Sequence, residues 1–117
     1  KFVRKNDVSD LIPYAVPYDF DYSGMVHTQY SIPAEGTPIE EVTQRYYFVY
    51  CLPEDILNEI FELFLEKRNG IYAVVTDFPY LAERAKEKMT RYLDEFYDIM
   101  DSERKRKQYI LDQCLNR

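Results

Sequence analysis

The amino-acid sequence predicts a mainly α-helical protein with a small extended or β-stranded N-terminal part, an α+β class whose helices form a C-terminal, lobe-like piece. Residues 1–50 contain four of the six prolines and two of the three glycines, which favours extended chain and turns. Residues 53–117 repeat apolar side chains at helical spacing. Because 117 residues suit one domain, we predict a single domain over 1–117, with an extended arm at 1–52.

A short strand is predicted near residues 14–18. Pro13 and Pro17 lack amide protons along the same strand edge, so this strand belongs at a sheet edge or in a two-stranded ribbon. Alternation places Asp19 and Asp21 together on the face that is polar. The other face carries the apolar and aromatic side chains Tyr14, Val16, Tyr18, Phe20 and Tyr22.

Three helical segments are predicted after residue 52. The first spans about 53–68, because Pro53 suits a helix start and Asn69-Gly70 suits a helix end. The second spans about 78–100 and the third continues to about 115; Ser102 either caps a break between them or lies within one helix. The apolar stripe assigned to the buried face of the first helix is Ile56, Leu57, Ile60, Phe61, Phe64 and Leu65.

Charge and cysteine content narrow the function classes. With 21 acidic against 15 basic side chains, the net charge of −6 does not suit nucleic-acid binding, which needs clustered cations. No apolar stretch reaches the length of a membrane-spanning helix, so we predict no membrane partner. Cys51 and Cys114 are predicted to be reduced, buried thiols in a cytoplasmic protein, although one long-range disulfide between them is the alternative.

The candidate chemical site is the pair Asp19 and Asp21. The strand rise of ~3.3 Å per residue puts their carboxylates about 7 Å apart on one face, beside the Ser23-Gly24 turn. Hard oxygen ligands of this kind suit Mg²⁺ or Mn²⁺, completed by water and phosphate oxygens. The alternative is that both carboxylates face water or cap a turn. His27, which follows the turn, is either a further ligand or a surface residue.

The segment Tyr18-Asp-Phe-Asp-Tyr-Ser-Gly24, preceded by Ile12-Pro13 and Val16-Pro17, resembles the metal-binding motif of the spore-coat protein H group of atypical, kinase-like proteins. It is also similar to a set of bacterial relatives with a Y-D-F-D-Y-S-G core. In such kinase-like folds an acid of this segment holds the metal on the nucleotide phosphates. The resemblance implies that Asp19 is the first metal ligand and Asp21 an auxiliary one.

The same resemblance implies a C-terminal piece of a longer protein. A glycine-rich loop, a phosphate-binding lysine and a catalytic loop belong upstream of the motif, and the eleven residues Lys1–Leu11 leave no room for them. A first residue that is lysine and not methionine leads to the same expectation. We therefore expect nucleotide binding only in an intact protein, and as partner either the missing N-terminal portion or a second copy of the chain.

Three functions are compatible with these observations. The first is the metal-binding part of a kinase-like phosphoryl-transfer protein, inactive as an isolated piece. The second is a non-enzymatic interaction module, because twelve tyrosines and seven phenylalanines supply side chains that are typical of interfaces. The third is a metal-dependent hydrolase that uses Asp19 and Asp21, and it lacks further ligands.

Overall fold

The computed structural model describes most of the helical half of the chain and part of the N-terminal half, over residues 2–3, 14–15, 20–47 and 49–115. The chain divides into two compact units, Lys1–Gln44 and Arg45–Arg117. The division precedes the change predicted near residue 52, because the segment before the first helix packs against the helical core. The described part is mainly helical, as predicted. The single-domain organisation stays a prediction.

Two short strands are described in the N-terminal unit. Strand β1 (Phe2–Val3) pairs antiparallel with strand β2 (Tyr14–Ala15), with Phe2 opposite Ala15. The rest of the strand predicted near 14–18 lies outside the described residues. The alternating face of that strand therefore stays a prediction.

Residues 20–44 form a succession of turns that short-range hydrogen bonds close. The main-chain nitrogen of His27 donates to the carbonyl of Ser23 at 2.9 Å. The main chain and the hydroxyl of Thr37 donate to one carbonyl at 3.2 and 2.6 Å. Gly36, inside that turn, has φ 82°, a left-handed conformation that costs glycine little.

Helix α1 (Glu54–Thr76) begins directly after Pro53, as predicted. It does not end at residue 68 but continues through Gly70, so the predicted Asn-Gly stop is wrong. The residues after Gly70 explain the continuation, because Ile71 and Tyr72 pack against the core and Val75 is buried. Burial of that turn outweighs the roughly 1 kcal/mol that a glycine costs inside a helix.

Helix α2 (Glu83–Met100) begins later than the predicted start near residue 78. Asp77 closes α1, since its main-chain nitrogen donates to the carbonyl of Ala73 at 2.9 Å. The chain then turns, and Ala82 immediately before the helix is extended. The predicted start of the second helix near residue 78 is therefore wrong, because residues 77–82 separate α1 from α2.

Ser102 separates α2 from helix α3 (Glu103–Tyr109), so of the two alternatives the structure has the break. The Ser102 hydroxyl accepts a hydrogen bond from the main-chain nitrogen of Lys105 at 3.3 Å, which satisfies one open donor of the first turn. A single 3₁₀ turn, Leu111–Gln113, follows.

The core of the helical unit lies where the start of α1 meets the end of α2 and the residue after α3. Met100 is its most buried side chain. The Tyr97 ring is buried there too, and its hydroxyl donates to the carbonyl of Phe64 at 3.1 Å. The buried cluster consists of Leu57, Phe61, Tyr97, Met100 and Ile110.

Charged side chains lie at the surface of the helical unit. Lys86 pairs with Glu83 one turn earlier at 3.1 Å, and Arg68 of α1 pairs with Asp101 after α2. In the described ranges no charged or polar residue belongs to the buried class. No helix of those ranges combines the length and the apolar character that crossing a membrane requires.

A disulfide joins Cys51, just before α1, to Cys114 near the C-terminus, with 4.9 Å between the Cα atoms. Next to it Leu115 accepts a hydrogen bond from Cys51 at 3.1 Å and donates one to Val49 at 2.9 Å. The prediction of two reduced, buried thiols is therefore wrong: the pair is oxidised and Cys51 is exposed. The two cysteines are distant in the sequence, and they come together because the packing of α1 against α2 returns the chain to the start of α1.

Candidate docking surface on the first helix

The predicted metal pair is described only at Asp21, because Asp19 lies outside the described residues. Asp21 is half-buried, and its Oδ2 atom accepts a hydrogen bond from the Tyr30 hydroxyl at 2.8 Å. Its carbonyl accepts a second hydrogen bond from the Thr28 hydroxyl at 3.0 Å. The hydrogen bond to Asp21 is the main cause that raises the pKa of Tyr30. The Asp21 carboxylate thus takes part in closing its own turn.

The surroundings of Asp21 supply few further metal ligands. Within the described residues no group of three His, Cys, Asp or Glu side chains is placed to hold a metal ion. His27 adopts φ 50°, a left-handed conformation in the turn after the motif. The ligand roles of Asp19 and Asp21, and the Mg²⁺ or Mn²⁺ they would hold, stay predictions.

The first half of α1 presents three parallel rows of side chains. Three triplets of α1 share one pattern, an acidic residue followed by two apolar residues. They are Asp55-Ile-Leu57, Glu59-Ile-Phe61 and Glu62-Leu-Phe64. Because successive residues are about 100° apart around a helix, each type forms its own row. Leu57 and Phe61 of the last row face the core, and we call these two residues the core row.

The middle row is exposed to solvent. We call it, with the adjoining phenylalanine, the α1 stripe: Ile56, Ile60, Leu63 and Phe64, whose exposed fractions are 41%, 39%, 52% and 40%. Spacings of three and four residues place these side chains next to one another on the helix. They form a contiguous apolar patch and not scattered surface residues, and such patches are typical of interaction sites.

The sequence assigned three members of the stripe to the buried face of α1, and that part of the prediction is wrong. Ile56, Ile60 and Phe64 are exposed, whereas Leu57 and Phe61 of the same predicted face are buried. The apolar residues of this segment cover about half of the helix circumference. The other helices cover only one side of that arc, and the remainder faces solvent.

The α1 stripe continues into an apolar cleft of about 320 Å³. Ile60 and Phe64 belong to both, and the opposite wall includes Tyr47 and Val49 of the segment that the disulfide fixes. Burial raises the pKa of the Tyr47 phenol, as expected for a ring in apolar surroundings. Phe64 also packs edge-on against Phe96 at 5.3 Å between ring centroids, which anchors one end of the stripe.

The first of the three rows is acidic. We call it the acidic row: Asp55, Glu59, Glu62 and Glu66, all exposed and spaced four, three and four residues apart. Glu66 pairs with Lys67 at 2.6 Å. Among the residues that the structure describes, the other three have no ion-pair or hydrogen-bond partner for their side chains. No basic side chain occurs between residues 54 and 66, so Asp55, Glu59 and Glu62 present uncompensated negative charge.

Four consecutive basic residues, 104–107, lie on α3. Lys105 pairs with Asp98, and Lys107 pairs with Asp112. The Arg106 guanidinium lies over the Phe61 ring, 5.4 Å from its centroid. Most of this run therefore takes part in interactions within the helical unit.

Comparisons with protein-family models, curated proteins and solved structures found no match to this chain. The likeness to spore-coat protein H relatives is tightest over residues 18–24 and stays a prediction.

Proposed function

We propose that the chain is a non-enzymatic interaction module that binds the apolar face of a partner protein's amphipathic helix along the α1 stripe. The observation that carries the proposal is the contiguous exposure of four large apolar side chains on a helix whose neighbouring side chains Leu57 and Phe61 are buried. Helices recognise grooves and other helices through apolar anchors spaced three and four residues apart, which is the spacing of the stripe. The apolar cleft beside it extends the same surface.

A partner protein suits this surface better than a second copy of the chain. Two copies each carry a net charge of −6, and the acidic row runs beside the stripe. Bringing two such faces together places like charges close to one another, which disfavours association. A different protein has no such constraint.

The scaffold around α1 supports binding by keeping the surface ordered before the partner arrives. The core row anchors one side of the helix, and the disulfide fixes the chain directly before it. A surface that is already rigid loses little conformational entropy on association.

We infer that the module works in an oxidising compartment. The disulfide between Cys51 and Cys114 supports this placement, because such bonds persist outside the reducing cytosol. This proposal replaces the cytoplasmic location that the sequence predicted from two reduced thiols.

The test uses the full chain and a fluorescent, designed helical peptide with leucines on one face and glutamines on the other. Ile56→Gln with Leu63→Gln removes two stripe side chains that do not line the cleft. Burying the exposed half of an Ile or Leu is worth about 1 kcal/mol, so the peptide affinity should fall roughly thirtyfold. The matched control is Tyr80→Gln, which changes an apolar side chain that is 90% exposed and lies outside the stripe.

Fluorescence anisotropy should show binding to the parent and to the control, and weak binding to the double variant. Circular dichroism of the double variant checks that its helices are retained. Equal affinities for the parent and the double variant would contradict the proposal, as would an equal loss in the control.

A further inference from the structure

The acidic row flanks the α1 stripe on one side only. Its four carboxylates lie between residues 55 and 66, which are eleven helical steps or about 16 Å apart at 1.5 Å per step. On the other side of the stripe lie the core row and the cleft, which are apolar. A helix that docks on the stripe therefore meets negative charge along one edge and apolar surface along the other.

We infer that the partner helix carries lysine or arginine along one edge, at spacings of three and four residues, and that these cations contact the acidic row. This inference rests on the proposed function and identifies the partner's chemistry as a basic amphipathic helix. Asp55, Glu59 and Glu62 can contact such cations, because they have no intramolecular cation partner among the described residues.

The two rows have different consequences for binding. The stripe supplies apolar area, which determines most of the affinity. The acidic row lies at the exposed rim, where charges mainly govern partner choice, association rate and salt dependence. An acidic helix of the same apolar content should be rejected, because its carboxylates would face those of the row. One-sided charge should also orient the bound helix with its basic edge towards the row.

The experiment compares three peptides that share one leucine face and differ in the flanking edge, which carries lysine, glutamine or glutamate. Each is titrated into the full chain at low and at physiological salt. The test variant is Glu59→Gln with Glu62→Gln in the acidic row. The matched control is Glu87→Gln with Glu95→Gln, two exposed acids of α2 whose replacement changes the net charge equally.

The lysine peptide should bind most tightly at low salt and lose its advantage as salt screens the charges. Removing two acids of the row should weaken the affinity for the lysine peptide about fivefold, as for two exposed ion pairs. The affinity for the glutamine peptide should change by less than about twofold. The control should leave the lysine peptide within about twofold.

Three outcomes overturn the inference. An equal loss in the control would show that net charge alone attracts the peptide. Binding of the glutamate peptide as tightly as the lysine peptide would remove the role of the row. A dimer of the parent in sedimentation, lost on Ile56→Gln with Leu63→Gln, would assign the stripe to a second copy. If the glutamine peptide still binds in a stripe-dependent way, the first two outcomes leave the proposed function standing.

Discussion

Removing the disulfide should cost this small protein a large part of its stability. The change is Cys51→Ser together with Cys114→Ser, which deletes the crosslink without leaving an unpaired thiol. In the oxidised chain the bond closes a loop across a sequence separation of 63 residues, from Cys51, two residues before Pro53, to Cys114, the residue after the 3₁₀ turn.

The magnitude follows from the entropy of the unfolded chain. In the chain-entropy account, closing a loop of that length removes about 4 kcal/mol of conformational freedom from the unfolded state at 25 °C. Domains of this size are usually stable by roughly 5–15 kcal/mol, so the loss is a substantial share of the total. The two hydrogen bonds between Leu115 and the segment before α1 lie beside the bond and should weaken with it.

The assay is urea unfolding followed by far-ultraviolet circular dichroism, which reports on the helices. Three samples are compared: the oxidised parent, the double serine variant, and the parent in a reducing agent. The variant and the reduced parent should have the same free energy of unfolding, which separates the effect of the crosslink from that of the serines. If the reduced parent stays within about 0.5 kcal/mol of the oxidised parent, as for a neutral surface change, the reasoning fails.

Three further predictions concern the core, the pH dependence and the N-terminal motif. Met100→Ala, at a side chain that is 1% exposed, should lower the free energy of unfolding by about 2–5 kcal/mol. Val74→Ala, at 73% exposure, should lower it by less than about 0.5 kcal/mol. Equal losses in urea unfolding would contradict the placement of Met100 in the core. Burial, and then a hydrogen bond to a carboxylate, raises the pKa of Tyr72 from its usual 10.0 to about 12. The folded state therefore loses stability between pH 10 and about 12, where the unfolded phenol ionises first, and Tyr72→Phe should reduce that loss in urea titrations; an unchanged pH profile would refute it. Titration of Mn²⁺, followed by water proton relaxation, should show weak binding that Asp19→Asn removes and Asp21→Asn weakens; unchanged binding in Asp19→Asn would oppose the predicted site.

The helical part of the fold could be predicted because its signals are local. Pro53 starts α1 and the Ser102 hydroxyl caps α3, and both act through neighbouring main-chain groups. The predicted end of the first helix at Asn69-Gly70 and the predicted start of the second near residue 78 are wrong for a different reason. There, burial of the last turn of α1 decides the outcome, and burial depends on residues that are distant in the sequence.

The disulfide and the docking surface depend on tertiary contacts in the same way. Nothing near Cys51 in the sequence indicates that Cys114 lies beside it, since the packing of α1 on α2 brings them together. The sequence does indicate the α1 stripe, because the apolar positions of residues 56–65 cover more of the helix circumference than one packing face needs. The acid that precedes Ile56, Ile60 and Leu63 marks which edge of that arc faces water.

Stability and binding should be separable by mutation, because they use different rows of the same helix. Leu57 and Phe61 make the core contacts of α1, whereas Ile56 and Leu63 are exposed and lie outside the cleft. Replacing an exposed apolar side chain usually changes stability by less than about 0.5 kcal/mol. A loss of peptide binding in the stripe variant without a matching loss in urea stability would therefore come from the surface itself, whereas coupled losses would indicate that the stripe contributes to the fold.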